Sequence, residues 1–397
     1  MAKEYQYIII GAGIMGLSIA RTLKKKDPRC SVLILDKERH EAFHASSRNS
    51  GVLHAGFYYT ADSLKAKFTI RGNHMMRNYC HDKNLPINEC GKLVVAQNEE
   101  ELSQLYELEQ RGLKNGSVVK VIEENQALDI DPNVRTYKKA LYSPDTSSID
   151  PMKVCCALKD DLLNDNVHFA FQAKYLSRQD KVIKTTQGDF QFQKLINCAG
   201  LYADKIARDF GFSRQYTVIP FKGLYLKYTK NTTDVKVNIY PVPNLKNPFL
   251  GVHFTKTVTN EIKIGPTAIP CLWRENYEAT DNFDLKEFLS TTAREVKLWL
   301  SNANNFRNLA AEEFKKYNKK YFIELASRMV QYIDPEGFSE YTKPGIRAQL
   351  VDIKTNQLVS DFVVEGDKDS LHVLNAVSPA FTCAFPFSEY IVQNHLS

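Results

Sequence analysis

The sequence predicts an α/β protein in which a Rossmann-like dinucleotide-binding domain carries a second, inserted domain. Three observations predict it. The first forty residues read as strand, glycine turn, helix, strand and acid in that order. A further buried strand ending in small residues, Leu195-Ile196-Asn197-Cys198-Ala199-Gly200, returns to such a sheet after a long excursion. Finally, 397 residues with 43% hydrophobic content exceed the size, roughly 250 residues, at which one core stops growing.

Tyr7-Ile8-Ile9-Ile10 is a continuous apolar run, as expected of a parallel strand buried on both faces. Gly11-Ala12-Gly13-Ile14-Met15-Gly16 fits G-x-G-x-x-G and leads into a helix with Leu17, Ala20 and Leu23 at helical spacing, closed by Asp27-Pro28. Gly11 permits the tight turn, Gly13 lets backbone approach a pyrophosphate, and Gly16 lets helix and strand pack closely. The helix N-terminus, with Ile14 and Met15, then faces the phosphates. Val32-Leu33-Ile34-Leu35 forms the second strand and ends at Asp36, 20 residues after Gly16, placed with Lys37 at an adenosine ribose.

This spacing alone fits FAD and NAD equally. The return at 195–200, followed by a helix over 201–209, favours a flavoprotein with an inserted substrate domain. Leu371 to Val377 reads as a strand, Ser378 to Thr382 as a turn, and the chain closes in a helix reaching Gln393. Helices fill much of 281–334, where packing against the inserted domain accounts for most of the apolar positions Phe283, Leu285, Phe288, Leu289, Val296, Leu298 and Leu300.

Composition excludes other classes. A net charge of +6, from 52 basic and 46 acidic residues, suits an anionic substrate or cofactor and is too small for a nucleic-acid partner. The densest basic run, Lys315 to Lys320, reads as a solvated helix face. Eight cysteines without a C-x-x-C pair, no metal-binding spacing and no secretory signal imply reduced thiols in the cytoplasm. No run of about 18 apolar residues occurs, so membrane association would be peripheral, on an inner membrane face.

Ser46-Ser47-Arg48-Asn49-Ser50-Gly51-Val52-Leu53-His54-Ala55-Gly56-Phe57-Tyr58-Tyr59 resembles the signature of L-2-hydroxyglutarate dehydrogenases and oxidases. Cys90-Gly91-Lys92-Leu93-Val94-Val95-Ala96, Gly251-Val252-His253-Phe254-Thr255 and Pro344-Gly345-Ile346-Arg347-Ala348-Gln349 follow in family order across nearly the full chain. The resemblance implies a GR2, D-amino-acid-oxidase type of fold with non-covalent FAD and a mixed-sheet α+β substrate domain. It divides the chain into an FAD-binding domain, 1–80, 145–215 and 340–397, and a substrate domain, 81–144 and 216–339. Ser47, Arg48, Asn49, Ser50, Ala199, Gly200, Gly345, Arg347, Pro379, Ala380, Phe381 and Thr382 are then expected at the flavin. The sequence departs from the family at Arg48, where many members carry His, at Lys222 and Leu224, which replace Arg and Glu, and at Ser378 to Cys383. These departures leave the substrate's tail open.

Oxidising an alcohol with flavin requires loss of the hydroxyl proton and hydride transfer to N5, hence a base near the carbon. His54, in the most specific motif, is the first candidate and His253 the second. Arg347 and Lys222 are the candidates for a substrate carboxylate, and Tyr58, Tyr59 and Tyr240 for hydroxyl contacts. The expected activity is oxidation of a small anionic 2-hydroxy acid, with a quinone or O2 as electron acceptor. An amine or amino-acid oxidase on the same fold is the competing reading.

Overall fold

The structure is a computed structural model that describes residues 3–230, 235–243 and 250–396. The chain forms two compact units, Met1–Asn49 with Pro151–Pro220 and Arg347–Ser397, and Ser50–Asp150 with Phe221–Ile346.

The first unit is built on an open sheet in the order Tyr175–Gln179, Val182–Thr185, Gly188–Asn197, Lys3–Ile10, Val32–Leu35, His168–Ala170, with Ser370–Val373 also paired to Gly188–Asn197. The central pairs are parallel, with Ile8 opposite Leu33 on one side and Leu195 on the other. A parallel pair needs a crossover, and helix Ile14–Lys26 provides it. Ile8, Ile10, Leu33, Leu35 and Leu195 pack with Ile206 and Phe210 on one face. On the helical side, Ile14–Lys26 packs against Ala380–His395 and Pro151–Asn164. Both faces are covered, which is why these strands read as unbroken apolar runs.

The second unit contains an eight-stranded mixed sheet in the order Phe338–Tyr341, Leu226–Tyr228, Ile262–Gly265, His253–Lys256, Asn238–Pro241, Lys92–Val95, Lys139–Ser143, Lys120–Glu123. Lys92–Val95 and Asn238–Pro241 pair in parallel, with Lys92 opposite Asn238 and Val94 opposite Tyr240. Alternation divides the side chains between two faces. Leu93, Val95, Ile239 and Phe254 join one core with Phe322, Ala326 and Phe338. Val94 and Tyr240 join the other, with Phe57, Tyr58, Leu105 and Leu108. Lys92 and His253 stand at the parity of this second face.

The units differ from the expected boundaries most at the first crossing, which falls after Asn49 rather than near residue 80. Local bonding explains it. Val52–Leu53 and Ile87–Asn88 both pair with Ser147–Ile149, and Asn73 in helix Leu64–Asp82 donates to the carbonyls of Leu53, His54 and Asp145. The later crossings fall at 150/151, 220/221 and 346/347, within 5 to 7 residues of those expected.

Two further expectations are corrected. Lys316, in the basic run, is buried and paired with Glu313, because the run straddles the end of helix Phe306–Lys315. In helix Leu285–Ser301 only Leu298 of the named apolar positions is buried, while Leu285, Leu289, Val296 and Leu300 are exposed, as is Phe283 just before it.

Candidate active site

The glycine turn of the first unit is shaped for close backbone approach. Gly11 has φ of 110°, and its amide donates to Leu35 O at 2.7 Å. A Cβ there would collide with Cys198 O, and one at Gly16 would collide with Gly11 O. Asp36 braces the turn: one carboxylate oxygen accepts from Ala12 N at 2.8 Å and the other from Glu38 N at 2.9 Å. Burial pushes this carboxyl up from its ordinary range while the two amides pull it down. Each oxygen keeps a further lone pair for a ribose hydroxyl.

Helix Ile14–Lys26 has no acidic residue in its first turn. The amides around Ile14, Met15 and Gly16 and the helix dipole therefore suit a pyrophosphate. Ser46, which the sequence reading assigned no role, accepts from Ile14 N at 3.0 Å, and its Oγ would lie 2.9 Å from a Cβ at Gly13. A pyrophosphate drawing on the Ile14 amide would take the place of that Ser46 bond.

The other expected cofactor residues lie in five local stretches. Lys37 pairs with Glu38 and lies 3.1 Å from His44 Nε2. Arg48 stacks over Phe43 at 5.1 Å, Ser47 N donates to His44 O at 3.2 Å, and Asn49 donates to the carbonyls of Ala45 and Ser46. Ser50 Oγ accepts from Val52 N at 3.3 Å. Ala199 N donates to Asn197 Oδ1 at 3.1 Å, and Gly200 adopts φ of 53°. Pro379 caps helix Ala380–His395, whose first turn holds Phe381 and Thr382 and no acid. Gly345 opens the strand Gly345–Asp352 that carries Arg347.

In the second unit a polar cluster lies inside the aromatic core. His54 follows strand Val52–Leu53 and is buried. The loop after it is held at four carbonyls: Ser117 Oγ donates to Ala55 O, Asn115 Nδ2 to Gly56 O and Tyr59 O, and Arg111 to Tyr58 O. These bonds place the Phe57 and Tyr58 rings over Lys92, whose Nζ lies 5.6 and 5.2 Å from their centroids and 4.0 Å from that of Tyr240. The His253 ring stacks on Tyr240 at 3.6 Å and 15°, with Nδ1 2.8 Å from Gly251 O.

Lys92 is 0% exposed. Its Nζ and the Tyr58 hydroxyl have no hydrogen-bond partner among the described residues, while the Tyr240 and Thr255 hydroxyls lie against each other. Burial of a lone ammonium costs several kcal/mol even after relaxation, whereas a desolvated cation–π contact returns about 2 kcal/mol. The rings therefore do not offset the burial, which pushes Lys92 down to about 7, with Cys90 opposing the shift. His54 is pushed down to about 3, first by burial and then by the Lys92 charge. Burial holds the Tyr58 and Tyr240 hydroxyls well above their usual range.

Of the sequence-derived candidates, the structure gathers Tyr58, Tyr240 and His253 around Lys92, and His54 feels its charge. Tyr59 packs on the same core. Lys222 stands elsewhere on its strand, opposite Ile269 and acting on the Cys271 thiol, and Arg347 belongs to the first unit. Lys92, Asn73 and Thr255 had not been singled out. Only Lys92 left a sequence signal, as a charge heading the apolar run Leu93-Val94-Val95-Ala96.

The family of FAD dependent oxidoreductases matches residues 6–392. L-2-hydroxyglutarate dehydrogenase of Indibacter alkaliphilus is 35% identical, over 96% of this chain and 96% of its own. The mitochondrial L-2-hydroxyglutarate dehydrogenase of Dictyostelium discoideum is 32% identical over 98% and 92%, and that of Homo sapiens 33% over 98% and 88%. Among solved structures, FAD-bound L-alpha-glycerophosphate oxidase of Mycoplasma pneumoniae superposes with a TM-score of 0.77 at 20% identity, covering 99% of this chain and 95% of that one. Glycine oxidase of Geobacillus kaustophilus gives 0.72 at 17%, covering 99% and 94%. The fold is thus shared with oxidases of several substrates, and over nearly its whole length the chain belongs to the L-2-hydroxyglutarate dehydrogenase family of FAD dependent oxidoreductases.

Proposed function

We propose that the protein oxidises an L-2-hydroxy acid of the L-2-hydroxyglutarate class to the 2-oxo acid, with His54 taking the hydroxyl proton. The observation that carries this reading is the buried cluster of the second unit. It combines an imidazole held neutral, an ammonium with no hydrogen-bond partner among the described residues, and the hydroxyls of Tyr58, Tyr240 and Thr255. A neutral imidazole offers a lone pair to the hydroxyl proton, and the remaining groups all donate to an anion. The competing amine-oxidase reading rests only on distant likeness, a glycine oxidase at 17% identity, against L-2-hydroxyglutarate dehydrogenases at 32% and 35%.

The first unit holds FAD non-covalently at the Gly11 turn, Asp36 and the first turn of Ile14–Lys26. Bound FAD supplies the two-electron acceptor that alcohol oxidation requires. Tyr58 and Tyr240 orient the substrate, and His253 is fixed by its stack on Tyr240 and by Gly251 O as a second proton-handling group. The rings of Phe57, Tyr58 and Tyr240 keep Lys92 from solvent.

Electrons leave to a quinone or to O2, and the exposed apolar face of helix Leu285–Ser301 favours a quinone. Leu285, Leu289, Val296, Trp299 and Leu300 are exposed and, at 3.6 residues per turn, share about 100° of arc, an arrangement suited to peripheral lipid contact. No helix among the described residues is long and apolar enough to cross a membrane. All eight cysteines are free, which fits a reducing compartment such as the cytoplasm.

Anaerobic spectroscopy of the yellow holoenzyme tests the reaction class. L-2-hydroxyglutarate is expected to bleach the flavin band, with D-2-hydroxy acids, glycine and D-amino acids leaving it unchanged. Bleaching by amines alone would overturn the reading.

A further inference from the structure

Resting on the 2-hydroxy-acid reading, we propose that Lys92 binds the carboxylate next to the reacting carbon and makes the enzyme selective for acids over their neutral analogues. The side chain comes from a central strand paired on both sides, to Asn238–Pro241 and to Lys139–Ser143, and at 0% exposure its head does not reach solvent. No carbonyl or carboxylate among the described residues accepts from it.

The groups around Lys92 are chosen from one chemical kind. Phe57, Tyr58 and Tyr240 supply rings; the Tyr58 hydroxyl lacks a partner among the described residues, and those of Tyr240 and Thr255 lie against each other. The titratable neighbours are His54, Tyr58, Cys90 and Tyr240, with Lys256 beyond, acting on the same Cys90 thiol. None is a carboxylate. One ammonium and several hydroxyl donors without an internal anion form a binding site for an external one. Lys222, one of the cations first considered for this role, stands on another strand, opposite Ile269.

The same contact links binding to chemistry. The Lys92 charge helps hold His54 down. A carboxylate paired with Lys92 cancels that charge, so the imidazole becomes a stronger base when an acid occupies the pocket and not when a neutral alcohol does.

The test uses the holoenzyme, Lys92→Met and Lys92→Arg, with L-2-hydroxyglutarate and its C1 amide as probes in anaerobic flavin reduction. Lys92→Met keeps the stem volume, and its flavin-to-protein ratio and melting temperature are expected to match or exceed the parent's. It should weaken the apparent affinity for the acid at least 100-fold, change that for the amide less than threefold, and abolish the preference between them. Lys92→Arg should keep part of that preference. In the unmodified enzyme, 2-oxoglutarate affinity read from the perturbed flavin spectrum should weaken about tenfold per pH unit above pH 8, where a neutral amine must first regain its proton. His54 is already neutral there, and burial raises the Tyr58, Tyr240 and Cys90 groups above their ordinary values.

An acid affinity unchanged in Lys92→Met while the parent is bleached, or a 2-oxoglutarate affinity flat from pH 7 to 9.5, overturns the role of Lys92 alone. A parent enzyme bleached by no 2-hydroxy acid overturns the reaction class and this role with it.

Discussion

His54 and Lys92 reach burial from opposite chemical directions, one as a neutral base and the other as a cation near its own titration point. For His54→Asn we expect kcat to fall about 10²- to 10⁴-fold with the flavin content unchanged, measured by stopped-flow reduction. His54 also makes the fold acid-labile. Its folded pKa of about 3 lies below the ordinary 6.5, so between these values the unfolded chain binds more protons and stability falls as pH falls. Urea midpoints should therefore decline below pH 6.5, less steeply in His54→Asn. His54, Tyr58 and His253 stand in motifs the sequence displays, whereas Tyr240 stands in none. Lys92 was not given a role, because a lysine heading a strand usually reaches solvent. The rings that bury it come from residues 57, 58 and 240, far away in sequence.

Between single residues and the whole chain, the elements decide where the pocket sits. Helix Leu64–Asp82 does so through one side chain: Asn73 Nδ2 is buried and serves three carbonyls, one of them that of His54. Asn73→Ala leaves those acceptors unmet, and we expect a loss of about 1–3 kcal/mol in chemical denaturation, together with a lower kcat. The nucleotide-binding elements were legible because each has its own local signal. The predicted strand over 32–35 and the helix ending before Asp27 stand as Val32–Leu35 and Ile14–Lys26. The parallel pairing of Lys92–Val95 with Asn238–Pro241 joins segments far apart in sequence, and no periodicity announces it. Nor does an amphipathic pattern tell whether a face meets protein or solvent, which is why the exposed stripe of Leu285–Ser301 was read as packing.

At the scale of the molecule, the chain passes between two units four times, so neither is a continuous stretch of sequence. The discontinuous arrangement was legible because the strands of the nucleotide sheet recur late in the chain. The first crossing was misplaced because residues 46–59 read as one motif although they divide at Asn49. The Gly11 turn, Asp36 and the amides of Ile14–Lys26 are already shaped in the protein alone. FAD binding is therefore expected to stabilise by mass action, about 2.7 kcal/mol at a hundredfold excess over Kd. Calorimetry of stripped and reconstituted protein checks this, with the melting temperature rising as free FAD is added.

The interleaved segments also limit how such an enzyme can change over evolutionary time. A single recombination event exchanges one continuous stretch of gene, and no such stretch encodes the whole of either unit. The cluster around Lys92, which draws on residues 54–58 and on residue 240, cannot be inherited as a cassette. New substrate preferences in this lineage must accumulate by point substitution within an intact frame, each step under the constraint that the flavoprotein still folds.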